Sequence, residues 1–245
     1  MAAAAGAIGA SNLGKGKIAL AVSVLGEQIA NGAFPADKPL PVEADLAERL
    51  HVGRSVLREA IKVLSSKGMV SARPRHGTVI QPRSRWNLLD RDVLHWVLRP
   101  GQVDPDLVRD ILVARRIIEP EAARLAALNS TIADKAAILG ACAEMRASVG
   151  DAEASVRADI AFHNAILEAS GNAILLAFSP ALSAILSAFF QISIQNPDVF
   201  PGNLPAHERV AHAVAAGNAD EAHAAMLSVL SYTEDDVSER LSLHP

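Results

Sequence analysis

Two helical patterns one short break apart, within the stretch Leu40 to Ile80, constrain the fold of this 245-residue chain more than any other feature. Apolar positions recur at helical spacing from Glu43 to Leu50 and again from Arg54 to Lys67, with only His51-Val52-Gly53 between them. A break that short keeps the two helices in contact. Leu46, Ala47 and Leu50 form the inward face of the first helix, and Val56, Leu57, Ile61 and Leu64 that of the second. Arg54, Arg58 and Lys62, spaced four apart, then share the opposite face. Beyond Gly68, the segments Met69 to Arg73 and Thr78 to Gln81 read as two strands flanking Pro74-Arg75-His76-Gly77. Helix, turn, helix and hairpin in that order predict a winged helix-turn-helix.

The chemistry of the stretch suits double-stranded DNA. A basic stripe near a helix start, with Ser55 beside it, can hydrogen-bond phosphates and reach guanine edges in the major groove. A hairpin tipped by arginine, histidine and glycine can enter a minor groove, where glycine permits close approach and the negative potential attracts arginine. The expected DNA-binding residues are Arg54, Ser55, Arg58, Arg75, His76 and Gly77. Charge distribution agrees: Asn12 to Asn87 carries 12 Lys and Arg against 6 Asp and Glu, leaving 11 against 21 elsewhere, so only the amino-terminal part attracts a polyanion.

Around this stretch the chain divides into four parts. Residues 1–11 are rich in Ala and Gly and are expected to be disordered. The DNA-binding domain covers 12–82; its first helix starts near Lys15, buries Ile18, Val22, Leu25 and Ile29, and stops at Asn31-Gly32. Residues 83–103 form a linker in which Leu88, Leu89, Val93, Leu94 and Val97 make a short amphipathic helix. Its tryptophans, Trp86 and Trp96, are candidates to pin one domain against another. From residue 104 to 245 helices are expected at about Asp106–Leu128, Ile132–Val149, Ala152–Ser170, Ala173–Ser193, His207–Ala216 and Ala219–His244. Gly150, Gly171 and Gly217 provide stops, and Ser130 or Thr131, Asp151, Asn172 and Asn218 provide caps. The fold class is mainly α: a winged helix-turn-helix with a small β-hairpin wing, followed by an all-α helical bundle.

Several function classes are disfavoured. The uncharged run Ile174 to Ile194 is long enough to span a bilayer, but it holds Pro180, four serines and Gln191, with no flanking Lys or Arg to orient it. It reads as a helix buried on nearly all sides, so no membrane partner is expected. Lys15 and Lys17 ahead of Ile18–Leu25 resemble a signal peptide, but Glu27 and Gln28 follow without a small-residue cleavage site. The single cysteine, Cys142, excludes an intramolecular disulfide and reads as a small buried hydrophobe in a reducing cytoplasm.

In the bundle, Asp159 and His163 are one helical turn apart and project from one face, where a carboxylate and an imidazole can chelate one divalent ion. No further general base or nucleophile emerges from the spacing, so an enzyme is not expected, and a metal-dependent hydrolytic enzyme is the less favoured alternative.

The phrases LPVEADLAERLHVGRSVLREAIKVLSSKGMVSARPRHGT, ARRIIEPEAARLAA, DIAFHNAILEASGN and HERVAHAVAAGNADEAHAAM together resemble the GntR superfamily of transcription factors, in its FadR-type branch with an FCD effector domain. The phrase Trp86-Asn87-Leu88-Leu89-Asp90 is similar to the linker of the galactonate-operon repressor subgroup. Three departures stand in the DNA-binding part: Ala44 where relatives often have arginine, His51 at the usual turn glycine, and Gly53 at the usual capping serine or threonine. The resemblance implies a cytoplasmic homodimer on a palindromic operator, most simply a repressor of a sugar-acid catabolic operon that a small carboxylate effector releases. It implies metal ligation by Asp159, His163 and His207, with zinc as an example, and it places Val229 where the fourth ligand, a histidine, would stand. A three-ligand metal site and an organic-acid site without metal both stay open, as does a regulator responding to metal or another organic acid. Arg115 is expected to face the pocket, with Arg116 exposed and paired with Glu119, and Asn164 and Ser193 are candidates to bond sugar hydroxyls. The expected effector-binding residues are therefore Arg115, Asp159, His163, Asn164 and His207.

Overall fold

The computed structural model describes residues 3–35, 38–73, 76–99, 103–193 and 199–241, with side chains from residue 16 onward except that of Val199. Its contacts divide the chain into two compact units, Met1–Val97 and Leu98–Pro245.

The first unit contains α1 (Ala3–Ala30), α2 (Glu43–Arg49), α3 (Arg54–Ser66), β1 (Val70–Arg73), β2 (Gly77–Ile80) and α4 (Arg91–Val97). Helix α1 begins well before Lys15 and takes in residues expected to be disordered, in keeping with alanine's high helix propensity. Its buried stripe is Ala21, Val22, Leu25 and Ile29, and the chain turns at Gly32, whose φ is +70°. Helix α3 packs on α1 through Leu57, Ala60 and Leu64, all fully buried, and Val56 and Ile61 are half-buried at the edge of that face. Strands β1 and β2 pair antiparallel in the register Val70↔Ile80, Ser71↔Val79, Ala72↔Thr78 and Arg73↔Gly77. The Leu40 amide donates to Thr78 O at 2.7 Å, which ties the entry to α2 onto the hairpin.

Much of the expected linker belongs to this unit. Helix α4 packs on α1, with Val93, Leu94, Trp96 and Val97 buried, while Leu89 is exposed. Trp96 lies so close to Gly26 that a Cβ there would sit 2.4 Å from its ring. Trp86 donates its indole N–H to Gln81 O at 2.8 Å. Both contacts lie within the first unit, where an apolar ring is buried by the nearest helix.

The second unit comprises α5 (Pro105–Asn129), α6 (Ile132–Ala147), α7 (Ala152–Ala169), α8 (Ala173–Leu176), α9 (Ser179–Ser193), α10 (Val199–Ala216) and α11 (Ala219–Leu241). Caps fall where expected: Thr131 and Asp134 form a reciprocal capping box, Asp151 and Asn172 accept from the first turns of α7 and α8, and Asn218 accepts from Glu221 N. One expected helix is broken, because Pro180 cannot donate and its ring clashes with the preceding turn, so Ala173–Ser193 becomes α8 and α9. The run is not buried throughout either; Ile174 is 80% exposed. No described helix is long and apolar enough to cross a membrane. Helix α10 starts before His207, at Val199. The bundle core runs through Ala122, Ala126, Ile138, Met145, Phe162, Ile166, Val210, Val214, Met226 and Val229. Cys142 is buried as expected, and that burial raises its thiol pKa.

Candidate functional site

Arg54 and Ser55 open α3 and are exposed, as are Arg58 and Lys62 one and two turns on. The Arg58 guanidinium is held by Glu43 at 2.7 Å and Lys62 by Glu59 at 2.7 Å, both in solvent. Exposed pairs of this kind contribute about 0.2–1 kcal/mol and exchange readily for a phosphate. His51 takes φ +51° in the turn between α2 and α3, the conformation that a glycine would adopt without strain. His76 and Gly77 are exposed at the hairpin tip; Pro74 and Arg75 lie outside the described residues.

The second unit encloses a cavity of about 210 Å³ walled by α5, α7, α9, α10 and α11. That is below the roughly 300–1,000 Å³ of pockets for drug-sized ligands, so it suits a molecule smaller than a drug. Arg115 from α5, Asp159 and His163 from α7, and His207 from α10 all line it.

A chain of buried polar contacts ties them together. Arg115 Nε donates to Glu119 Oε1 at 2.5 Å, one turn along α5. Glu119 Oε2 lies 2.6 Å from His163 Nδ1. His163 Nε2 is 3.8 Å and His207 Nε2 3.4 Å from Asp159 Oδ1. His207 Nδ1 donates to Asn203 O at 3.0 Å, since a carbonyl can only accept. Phe162 meets both imidazoles edge-on, with centroids 5.7 Å and 5.2 Å away, which fixes their planes. Arg115 and Glu119 are each 1% exposed. Burial pushes the Glu119 carboxyl up, but the charges of Arg115 and His163 outweigh it and hold the pKa down to about 2. Burial likewise opposes ionisation of Asp159, and the hydrogen bond from His207 with the neighbouring positive charges lowers it overall.

This arrangement can hold a metal ion. One donor atom each from Asp159, His163 and His207 lies within 4.8 Å of the others. Each imidazole turns its Nδ1 toward an acceptor, Glu119 or the Asn203 carbonyl, which leaves Nε2 of each ring, on the Asp159 side, as the atom that would ligate an ion. Carboxylates and carbonyls behind metal-ligating histidines play this part generally. Val229, 1% exposed in the core, supplies no donor.

The structure brings Arg115, Asp159, His163 and His207 to one cavity but does not bring Asn164, whose Nδ2 donates to Ser183 at 3.0 Å on α9. One residue beyond His163, its side chain leaves α7 about a quarter-turn away. Ser193 does line the cavity. Glu119 pairs with Arg115, correcting the expected pairing with Arg116, which reaches Glu234 on α11 at 2.7 Å. Both arginines lie within helical reach of Glu119, and burial of the Arg115 face decided between them. Asn203 and Thr233 were also unforeseen; Asn203 is a single polar residue in the apolar stretch Pro201–Ala206, the only signal the sequence carried for it, and Thr233 stands among polar neighbours that hide it.

A winged helix-turn-helix followed by an all-helical unit around an Asp-His-His cavity defines a class: DNA-binding regulators with a helical second domain. Residues 21–80 match the bacterial regulatory proteins of the gntR family, and residues 110–232 match the FCD domain. The chain belongs to the GntR family, in its FadR-type branch, and is a transcriptional regulator. It is 35% identical over 211 residues to the galactonate operon transcriptional repressor of Escherichia coli, covering 86% of this chain and 92% of that one. It is 36% identical over 202 residues to a putative L-lactate dehydrogenase operon regulatory protein of the same organism, covering 80% and 77%. Among solved structures, Listeria monocytogenes Lar shares the fold with a TM-score of 0.67 at 18% identity, over 91% of this chain and 96% of that one.

Proposed function

We propose that the protein is a homodimeric repressor of a sugar-acid catabolic operon, released from a palindromic operator by a small carboxylate effector bound in the cavity of the second unit. The observation that carries this reading is Arg115 Nη1, a buried guanidinium nitrogen at the cavity with no hydrogen-bond partner among the described residues. Nε and Nη2 are spent on Glu119, so Nη1 is the donor left for an incoming carboxylate. The similarity to the galactonate operon repressor points to an aldonate. Asp159, His163 and His207 would hold a divalent ion such as zinc, which when bound supplies a positive centre for the effector's oxygens. Arg54, Ser55, Arg58, Arg75, His76 and Gly77 read the operator. Effector binding shifts the dimer toward a DNA-incompetent state only as far as it favours that state.

Titration calorimetry with a panel of aldonates, alongside a gel shift on the chain's operator, tests the reading. Saturable binding that releases DNA is expected; no binding by any aldonate would sink it. Replacing Arg54 and Arg58 together by Ala abolishes retention while the circular-dichroism melt stays nearly unchanged, and undiminished retention would refute the recognition-helix assignment. Elemental analysis of purified protein distinguishes a metal-loaded from a metal-free site.

A further inference from the structure

The cavity walls carry a second set of polar atoms, unlike the first. Ser193 of α9, Asn203 of α10 and Thr233 of α11 line it. Each gives a hydrogen to a partner in the protein. The Ser193 hydroxyl donates to the Asp236 carboxylate, which Arg240 holds from the other side at 2.9 Å. Asn203 Nδ2 donates to Val229 O at 3.1 Å, and Thr233 Oγ1 donates to the same carbonyl at 3.3 Å. A carbonyl and a carboxylate have no hydrogen to give, so the direction of all three bonds is fixed. The two hydroxyls therefore have only oxygen lone pairs left to offer the cavity, and Asn203 offers its Oδ1 beside the second hydrogen of Nδ2. Asn203 is 7% exposed, and its Oδ1 is buried without a hydrogen-bond partner among the described residues. Arg115 Nη1 is in the opposite condition, a buried donor awaiting an acceptor.

We infer that the cavity selects a polyhydroxylated monocarboxylate, with the carboxylate on Arg115 and hydroxyl hydrogens on Asn203 Oδ1, Ser193 Oγ and Thr233 Oγ1, and that Asn203 is the residue that sets this specificity. The inference rests on the carboxylate-effector reading above and goes further, because it states which carboxylates are refused. An unsubstituted fatty acid leaves the buried Asn203 oxygen unpaired, which a site built for hydroxyls penalises heavily. A dicarboxylate brings its second set of acceptor oxygens against Ser193 Oγ, Thr233 Oγ1 and Asn203 Oδ1, and those oxygens repel it.

Calorimetry on the full chain with galactonate, hexanoate, adipate and norleucine, repeated on Asn203→Ala, provides the test. The unaltered protein is expected to bind galactonate at least about 100-fold tighter than hexanoate or adipate. Asn203→Ala should weaken galactonate about tenfold or more and leave hexanoate within about twofold, so that the preference collapses. Equal loss for both acids would make Asn203 merely structural and overturn its assignment. Hexanoate or adipate binding as tightly as galactonate to the unaltered protein would overturn the inference without any variant, and norleucine doing so would replace the hydroxyl by an ammonium. Failure of every carboxylate to bind would instead remove the effector reading itself.

Discussion

His51 sits at the turn between the two DNA-reading helices with φ +51°, where a residue bearing Cβ is strained by about 1–2 kcal/mol. Its backbone N–H and that of Val52 still close the end of α2, donating to Glu48 O at 3.0 Å and Ala47 O at 2.9 Å. His51→Gly is therefore expected to raise the stability of the unaltered protein by about 1 kcal/mol, since glycine adopts this conformation freely. Urea denaturation reads the difference, and a loss would show that the imidazole makes a compensating contact. Lys67 shows a different residue-level balance. Burial lowers its pKa, but Asp90 at 2.7 Å and Asp92 at 2.9 Å outweigh burial and leave it above the ordinary 10.5. The folded value exceeds the unfolded one, so the stabilisation is complete below about 10.5 and is lost as pH rises through the folded value. Lys67→Met should flatten the alkaline limb of a stability-versus-pH curve; an unchanged limb would show that other groups produce it.

Helix α5 joins two requirements that one turn of sequence can satisfy: an apolar face for the bundle core and a charged pair, Arg115 and Glu119, placed inside it. Two ions taken out of water are tolerated because each neutralises the other and His163 closes the remaining carboxylate oxygen. Glu119→Ala strands the Arg115 guanidinium, and the expected loss of stability is about 3–5 kcal/mol. Thermal melting monitored by circular dichroism reads it. A loss under about 1 kcal/mol would mean that water reaches the guanidinium and that the cavity is wetter than its burial implies. The breaking of Ala173–Ser193 into α8 and α9 also belongs to this scale. Helical periodicity continues across Pro180, but a missing N–H and a ring that clashes one turn back do not register as a change of period.

Over the whole molecule, the excess of Lys and Arg is confined to the DNA-reading part and the acidic excess to the rest. Operator affinity should fall steeply with salt, by about a thousandfold or more between 50 and 200 mM if roughly six phosphates are contacted. A log–log slope near zero, read by fluorescence anisotropy, would remove electrostatics as the driving term. The sequence alone determined what depends on neighbours a few residues apart: the helix-turn-helix from the spacing around His51-Val52-Gly53, the caps at Thr131, Asp151 and Asn172, and Asp159 and His163 on one face of α7. Such features are decided by backbone periodicity and by hydrogen bonds that reach only one turn. Tertiary structure decided what depends on which helices meet. It gave Glu119 to Arg115 and His163, turned Asn164 toward Ser183, buried Trp96 against Gly26, and committed the donors of Asn203 and Thr233 to the Val229 carbonyl. Those outcomes follow from desolvation, which makes a buried polar atom take the partner that packing places beside it, and packing across a bundle leaves no local trace in the order of residues.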